Sequence, residues 1–249
     1  MVMYMIFRRK AILFIHGFVG GTYDFGDLPN ILESNKKFDV YTFTLPGHDR
    51  TIVKGRKYLD WINEAERQMQ FLLNCGYKDI YVVGHSMGGV IASYIAGVYP
   101  QVKKLVLAAP AFGFFSFKNG SLDIKGFNDT IKNLGTTLGE NSREVVVSRI
   151  IKTPINTMLE FTKLVNEYHD SVKKVTCDTL IIHGLRDDVV PEDAIKYVHD
   201  NIASKTNFLY NIKDVNHNCF REKRSILVYD IIINFLKKKQ IEGKDTINI

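Results

Sequence analysis

The sequence is poor in cysteine and has no long apolar segment, and each absence excludes a class of protein. Its three cysteines are Cys75, Cys177 and Cys219, which show neither a metal-type spacing nor the even number of a disulfide framework. We therefore expect a reducing compartment. No apolar run reaches the roughly 18 residues of a membrane span. The sequence thus predicts a cytoplasmic protein with no stable membrane insertion.

The first residues also lack the charge order of a secretory signal. Apolar Met1–Phe7 precede the basic Arg8–Lys10, whereas a signal peptide has its basic residues first. The formal net charge of +6 is spread along the chain, and Lys237–Lys239 forms a short basic cluster. No aromatic residues interleave with this cluster, so we interpret it as a solvated helix end rather than a nucleic-acid contact.

Short apolar runs typical of strands alternate with stretches of helical spacing along the chain. This alternation predicts an α/β fold, a mostly parallel sheet flanked by helices, in a single domain over residues 1–249. The predicted strands are Ala11–Ile15, Asp39–Phe43, Ile80–Val83, Lys104–Ala108, Leu180–His183 and Asn207–Ile212. The predicted helices are Leu28–Asn35, Tyr58–Cys75, Val90–Val98, Glu192–Ile202 and Arg221–Lys238.

The alternation is interrupted after the strand that ends near Ala109. A long insertion between two strands is typical of a lid over a binding site, so we predict a helical cap over residues 111–175. A peripheral helical decoration is the alternative. The start of the predicted cap carries four phenylalanines, which either line an apolar substrate pocket or pack the cap onto the core. These are Phe112, Phe114, Phe115 and Phe117.

The segment Gly84-His85-Ser86-Met87-Gly88 carries the strongest chemical signal in the sequence. It follows the apolar run Ile80–Val83 and precedes a helical stretch of small residues. A serine on a sharp strand-to-helix turn needs glycines two positions before and after it, because the strand and the helix pass close together there. The pattern predicts that Ser86 is a catalytic nucleophile.

A serine hydroxyl needs a base, and the base needs a group that orients it. His217 lies in a short polar loop between the last strand-like run and the last helix, and we predict it as the base. Asp187 follows another strand end in a loop that closes at Pro191, and we predict it as the acid, with Asp188 as its competitor. The order Ser86, Asp187, His217 is that of one hydrolase architecture and differs from two serine protease folds.

With these positions the chain resembles the α/β-hydrolase superfamily, and within it the carboxylesterases and monoacylglycerol-lipase-like serine esterases with a small cap. The resemblance extends from Ala11 to Leu236. The loop His16–Gly21 is similar to the family's His-Gly-Phe loop. The resemblance therefore implies that the backbone N–H groups of Phe18 and Met87 form an oxyanion hole.

Two positions depart from the family pattern. After Leu45–His48, where the family usually has a glycine, this sequence has Asp49, which leaves the conformation of the loop and the pocket edge open. The family's base commonly follows a glycine, whereas Asn216 precedes His217 here. The second departure does not point to a better candidate than His217 for the base.

The resemblance implies a serine carboxylic-ester hydrolase acting on short- to medium-chain acyl or aryl esters through a Ser-His-Asp triad and an acyl-enzyme. It implies a small-molecule ester as the partner, no nucleic acid, and neither a metal nor an organic cofactor, while homo-oligomerisation stays open. The alternatives are thioester or carbon–carbon bond hydrolysis or acyl transfer by the same triad, and a non-catalytic ligand-binding protein of the same fold. The complete triad argues against the last.

Overall fold

The architecture comes from a computed structural model, which describes residues 10–49, 53, 55–113, 117–118, 121–122, 153–238 and 243–249. In chain order the strands are β1 (Lys10–Ile15), β2 (Phe38–Thr42), β3 (Ile80–His85), β4 (Val102–Ala108), β5 (Phe117–Lys118), β6 (Ser121–Leu122), β7 (Asp178–Gly184), β8 (Thr206–Ile212) and β9 (Gly243–Asn248). The helices are α1 (Leu28–Glu33), α2 (Tyr58–Asn74), α3 (Met87–Val98), α4 (Ile155–Tyr168), α5 (Glu192–Asn201) and α6 (Ser225–Lys237), with 3-10 helices at Thr22–Phe25 and His169–Lys174.

Within these residues, seven strands form one sheet in the order β2-β1-β3-β4-β7-β8-β9. All neighbouring strands of this sheet are parallel, whereas β5 and β6 pair separately and antiparallel. The predicted α/β fold with a parallel sheet is therefore confirmed.

Each face of the sheet has its own hydrophobic core. Successive residues of a strand point to opposite faces, and accordingly Val82 belongs to one core and Val83 to the other. Helices α2, α3, α4 and α5 contribute to the first core, and α1 and α6 to the second. Because both faces are covered, the central strands consist of near-continuous apolar runs.

The strand order brings four loops to one edge of the sheet. The chain runs from β1 to β2 and then returns to the other side of β1 as β3, and a crevice forms outside the carboxyl ends of strands where their order reverses in this way. The loops after β1 and β3 carry His16–Gly21 and Ser86, while those after β7 and β8 carry Asp187 and His217. All the predicted site residues therefore lie along the same edge.

The six predicted strands are present, each within about two residues of the predicted ends, but three helix boundaries differ by two or more residues. Helix α3 begins at Met87 rather than Val90, and α6 begins at Ser225 rather than Arg221. The segment before α6 instead forms turns, in which the amide of Arg221 donates to the carbonyl of Asn218 over 2.9 Å. Helix α1 ends at Glu33, two residues early.

Strand β9 was not predicted. Its sequence is polar because it is an exposed edge strand, and it pairs with β8 alone among the described strands. The end of α6 is exposed at Lys237 and Lys238, whereas Lys239 lies outside the described residues, and that this end is a solvated helix terminus stays a prediction.

The predicted cap, 111–175, is described at 111–113, 117–118, 121–122 and 153–175. There, α4 packs against α2 and α3, and the 3-10 helix that follows it packs against α3. Phe112 is buried in the core beside this 3-10 helix, with its ring 6.3 Å from that of His169. Phe114 and Phe115 lie outside the described residues, and Phe117 is described only as part of β5. That the segment forms a cap stays a prediction.

Candidate active site

Ser86 occupies a strained turn between β3 and α3. Its backbone has φ 54° and ψ −120°, a region that costs a non-glycine residue about 1–3 kcal/mol and is found where the surrounding structure enforces it. The glycines on either side allow close packing. A Cβ on Gly84 would lie 2.7 Å from the Cβ of Ala92, and one on Gly88 would collide with the carbonyl of Ile15. Glycine is therefore needed at both positions, because any side chain there would prevent the strand and the helix from packing this closely.

His217 bridges Ser86 and Asp187. Its Nε2 lies 3.0 Å from Ser86 Oγ, and its Nδ1 lies 2.9 Å from Asp187 Oδ2. Because a carboxylate only accepts, Nδ1–H donates to Asp187, and the neutral ring leaves Nε2 free to accept the serine proton. Three residues from three loops are therefore within hydrogen-bond distance in the order that nucleophile activation requires.

The carboxylate of Asp187 is fixed by its own loop. Its second oxygen, Oδ1, accepts hydrogen bonds from the amides of Val189 at 2.9 Å and Val190 at 3.0 Å, and its side chain is fully shielded from solvent. The neighbouring Asp188, which competed for the acid role, is exposed. The structure therefore places Asp187 rather than Asp188 against His217.

Burial and pairing act in opposite directions on the ionisation of this pair. Burial lowers the pKa of His217, but the charge and hydrogen bond of Asp187 outweigh burial and raise the pKa above its ordinary value, with smaller contributions from Asp188 and Asp24. Burial raises the pKa of Asp187, yet His217 and the two loop amides hold it below its usual range. The pair is therefore built to stabilise an imidazolium that forms at His217.

The loop that carries His217 is braced by Asn216, one of the two departures from the family pattern. The Asn216 side chain accepts from the amide of Asn218 at 2.8 Å and donates to Glu222 at 2.8 Å. A side chain that bonds its own backbone two residues ahead fixes a turn. At the position where the family commonly has a glycine, the asparagine stabilises the turn through these side-chain hydrogen bonds.

The predicted oxyanion loop crosses close to the serine. A Cβ on Gly17 would lie 3.1 Å from the Cβ of Ser86, so Phe18 follows directly on the point of closest approach. His16 is fully buried and fixes the loop, since its Nδ1–H donates to the carbonyl of Gly17 at 2.8 Å and its Nε2 accepts from the amide of Leu45 at 2.9 Å. Met87 is the first residue of α3, so the helix offers its N–H no acceptor.

An aromatic cluster lies behind Phe18. The ring of Phe18 stacks on Phe161 of α4, with centroids 5.0 Å apart, and meets Trp61 and His48 edge-on at 5.8 and 6.0 Å. Trp61 also donates from Nε1 to the carbonyl of Pro46 at 3.1 Å. The loop that departs from the family pattern is thus tied to α2, and Asp49, the residue that departs, is exposed.

Sequence reasoning missed Asp24 and His85 as parts of this region. His85 Nε2–H donates to the backbone carbonyl of His217 at 3.0 Å, and Asp24 lies on the other side of the His85 ring. The position of His85 inside the serine motif was a signal that could have been followed. Asp24 has none, because it is separated from His85 by 61 positions of sequence.

Two further properties concern the described part of the chain. No group of three or more His, Cys, Asp or Glu side chains there is arranged to hold a metal ion. Among the same residues, none of the helices combines the length and apolar character needed to cross a bilayer.

Two known protein families match this chain, one in its first half and one in its second. The family described as alpha/beta hydrolase fold matches residues 10–125, and the family described as serine aminopeptidase, S33, matches residues 145–224. The first match contains Ser86 and the predicted oxyanion loop, and the second contains Asp187 and His217.

Individual relatives are similar along nearly the whole chain. A carboxylesterase of Bacillus subtilis (strain 168) is 21% identical over 235 residues, which cover 92% of this chain and 93% of the relative. A thermostable monoacylglycerol lipase of Bacillus sp. (strain H-257) is 22% identical over 234 residues, covering 92% and 90%. The solved structure of an esterase from Exiguobacterium antarcticum matches with a TM-score of 0.72 at 21% identity, covering 92% of each chain.

The match to the solved structure shows a similar fold. The two family matches show that the sequences of both halves of the chain are also similar to those of known families. Together with the parallel sheet and the strained turn at Ser86, they show that this chain has the α/β-hydrolase fold.

Proposed function

We propose that this protein is a serine carboxylic-ester hydrolase that acts on short- to medium-chain acyl or aryl esters. The observation that carries the proposal is the position of His217, with Nε2 3.0 Å from Ser86 Oγ and Nδ1 2.9 Å from Asp187 Oδ2. The names of the relatives, a carboxylesterase and a monoacylglycerol lipase, support the ester bond as the target.

In the first half of the reaction, His217 takes the proton of Ser86 as Oγ attacks the ester carbonyl. The carbonyl oxygen becomes negative, and the backbone N–H groups of Phe18 and Met87 stabilise it, each by about 3–4 kcal/mol. His217 then gives its proton to the leaving alcohol, and the acyl group stays on Ser86. Asp187 stabilises the imidazolium that exists between these two proton transfers.

In the second half, water replaces the alcohol. His217 takes a proton from water, the hydroxide attacks the acyl-enzyme, and the same amides stabilise the second oxyanion. His217 returns the proton to Ser86 Oγ as the carboxylic acid leaves. The chemistry uses side chains and backbone amides of this chain alone.

The apolar surroundings of Phe18 support an acyl or aryl substrate. Phe18 is partly exposed beside Ser86, and the fully buried Phe161 and Trp61 hold its ring in place. A substrate group bound over this ring would be shielded from water, which stabilises apolar groups in proportion to their buried area. We place the acyl or aryl group here, below the proposed cap of residues 111–175.

Turnover of p-nitrophenyl esters of increasing acyl length tests this function. We expect hydrolysis with a maximum at short to medium chains, and a loss on the order of 10⁶-fold in Ser86→Ala. Ser93→Ala is the matched control, because Ser93 is a buried serine of α3 whose hydroxyl donates to the carbonyl of Gly89 at 2.9 Å, and it should retain turnover.

The same panel separates the alternatives. Thioesters and aminoacyl p-nitroanilides are included, the latter because one matching family is described as a serine aminopeptidase. Preference for thioesters or anilides over oxygen esters would replace the proposed substrate class, and absence of turnover with every substrate would refute the proposed hydrolase.

A further inference from the structure

A second pair of ionisable side chains, one buried and one largely shielded, lies behind the serine. His85 directly precedes Ser86 and is only 3% exposed. The rings of Phe25 and Phe220 pack edge-on against it, with centroids 6.5 and 5.7 Å away. A histidine in such a site is held in one orientation, so each of its two ring nitrogens faces a fixed neighbour.

One nitrogen of His85 supports the loop that carries the proposed base. Nε2–H donates to the backbone carbonyl of His217 at 3.0 Å, and the two rings are 5.1 Å apart. A hydrogen bond to the carbonyl of residue 217 fixes the backbone from which the imidazole projects. The strained turn at Ser86 and the His217 loop are therefore joined directly, without passing through the proposed triad.

The other nitrogen faces the oxyanion loop. Nδ1 of His85 lies 3.8 Å from Oδ2 of Asp24, and the same oxygen accepts a hydrogen bond from the amide of Gly17 at 3.3 Å. The loop wraps closely around this carboxyl group, since a Cβ on Gly20 would lie 2.8 Å from its carbon atom. Asp24 thus connects the residue before Phe18 with the residue before Ser86.

The charge of Asp24 is maintained by these contacts and also acts on His217. Burial raises the pKa of Asp24, but His85, His16 and the Gly17 amide outweigh burial and hold the pKa below its usual value. Asp24 therefore stays an anion although its side chain is only 13% exposed to solvent. Such a charge is weakly screened and favours an imidazolium nearby.

We propose that Asp24 and His85 are positioning residues for the hydrolytic reaction, which hold the oxyanion loop and the His217 loop in register across the turn at Ser86. This inference rests on the proposed function. Neither residue is placed to touch the reacting atoms: Asp24 acts through the Gly17 amide and through its charge, and His85 acts through the carbonyl of His217.

The groups that face the two histidines define what a charge change can do. The carboxylates that act on His217 are Asp187, Asp188 and Asp24. Asp24 itself faces the imidazoles of His85 and His16. Asp24→Asn removes one negative charge from this set while its side-chain oxygen can still accept from the Gly17 amide, so the variant isolates the charge from the loop contact.

The first experiment compares Asp24→Asn with Asp27→Asn, an equal charge change at an exposed position three residues away. We expect Asp24→Asn to lower kcat about tenfold with KM unchanged. The acid limb of its kcat/KM profile should move to lower pH, because His217 loses an anion that stabilises its charged form. Asp27→Asn should leave both unchanged.

The second experiment uses His85→Leu and His85→Gln. Leucine removes the donor to the His217 carbonyl, and we expect kcat to fall about tenfold. The glutamine amide reaches nearly as far as Nε2 and should restore most of the rate. Thermal unfolding of each variant is measured alongside; should His85→Leu fail to fold, the isosteric Asp24→Asn still decides.

An NMR titration of the His217 ring in the full-length protein provides a readout independent of turnover. We expect the pKa of His217 to be lower in Asp24→Asn than in the wild type and in Asp27→Asn. An unchanged pKa overturns the inference, as does wild-type kcat in Asp24→Asn. If the wild type hydrolyses no substrate, the proposed function fails, and the titration alone then decides whether Asp24 acts on His217.

Discussion

The carboxylate of Asp187 and the imidazole of His217 are joined by a hydrogen bond of 2.9 Å between Oδ2 and Nδ1. Their loops are also joined through the backbone, because the amide of Arg186 donates to the carbonyl of Val215 at 2.8 Å. Close packing reinforces this link, since a Cβ on Gly184 would lie 2.9 Å from the carbonyl oxygen of Asn216. The proposed acid and the proposed base are thus positioned by a contact between two loops as well as by their side chains.

Replacing Asp187 by asparagine should lower turnover by roughly 10⁴-fold. An asparagine NH₂ group can donate to Nδ1, which favours the tautomer that carries its proton on Nε2 and cannot accept from Ser86. Steady-state kinetics on a p-nitrophenyl ester measure the effect. Asp188→Asn is the matched control, and a larger loss in the control than in Asp187→Asn would transfer the acid role to Asp188.

Replacing Gly88 by alanine should destabilise the protein by about 3 kcal/mol or more, because the new Cβ would collide with the carbonyls of Ile15 and His16. Within a helix alanine normally stabilises relative to glycine, so a loss isolates the contact. Chemical denaturation measures the free energy of unfolding. Gly76→Ala is the control, because Gly76 has φ +87° but nothing within 4 Å of its added Cβ, and it should cost about 1 kcal/mol. Equal effects at both positions would rule out the proposed collision.

The kcat/KM profile should fall on the acid side as His217 becomes protonated, since only its neutral form can accept the serine proton. The charge of Asp187 raises the pKa of His217, so activity is lost as pH falls through a value above the ordinary histidine pKa of about 6.5. A midpoint below 6.5 would show that burial, which lowers this pKa, outweighs the carboxylate.

Replacing Asn216 by alanine should lower kcat by about tenfold while leaving the fold intact, because the turn before His217 loses its hydrogen bonds to the Asn218 amide and Glu222. Asn218→Ala is the control, since it changes a side chain but keeps the amide that Asn216 binds. Kinetics and thermal unfolding are measured together. Retention of the wild-type kcat in Asn216→Ala would mean that the turn does not depend on this brace.

The sequence was sufficient to predict six of the seven strands of the sheet and the placement of the candidate residues at its edge. Buried parallel strands require continuous apolar runs, and β3 has one directly before Ser86. The turn at Ser86 requires glycines at fixed spacing, and this requirement is local, so it is visible in five residues. Strand β9 could not be predicted, because an exposed edge strand buries too little surface to need apolar residues.

Contacts between distant segments could not be predicted in the same way. Asp24 reaches His85 only because β1 and β3 are neighbours in the sheet, which places the loops that follow them side by side. The brace at Asn216 is likewise a property of loop geometry. A single sequence shows neither, since nothing in the pattern of residues distinguishes Asp24 from a surface aspartate.

The central claim is that Ser86 is a nucleophile activated by His217, and covalent labelling with a fluorophosphonate tests it most directly. After incubation the protein is digested and the modified residue is identified by mass spectrometry. We predict one label per chain, on Ser86, with labelling lost in Ser86→Ala, strongly slowed in His217→Ala and retained in Ser93→Ala. Labelling at another residue, or wild-type labelling in His217→Ala, would contradict the account.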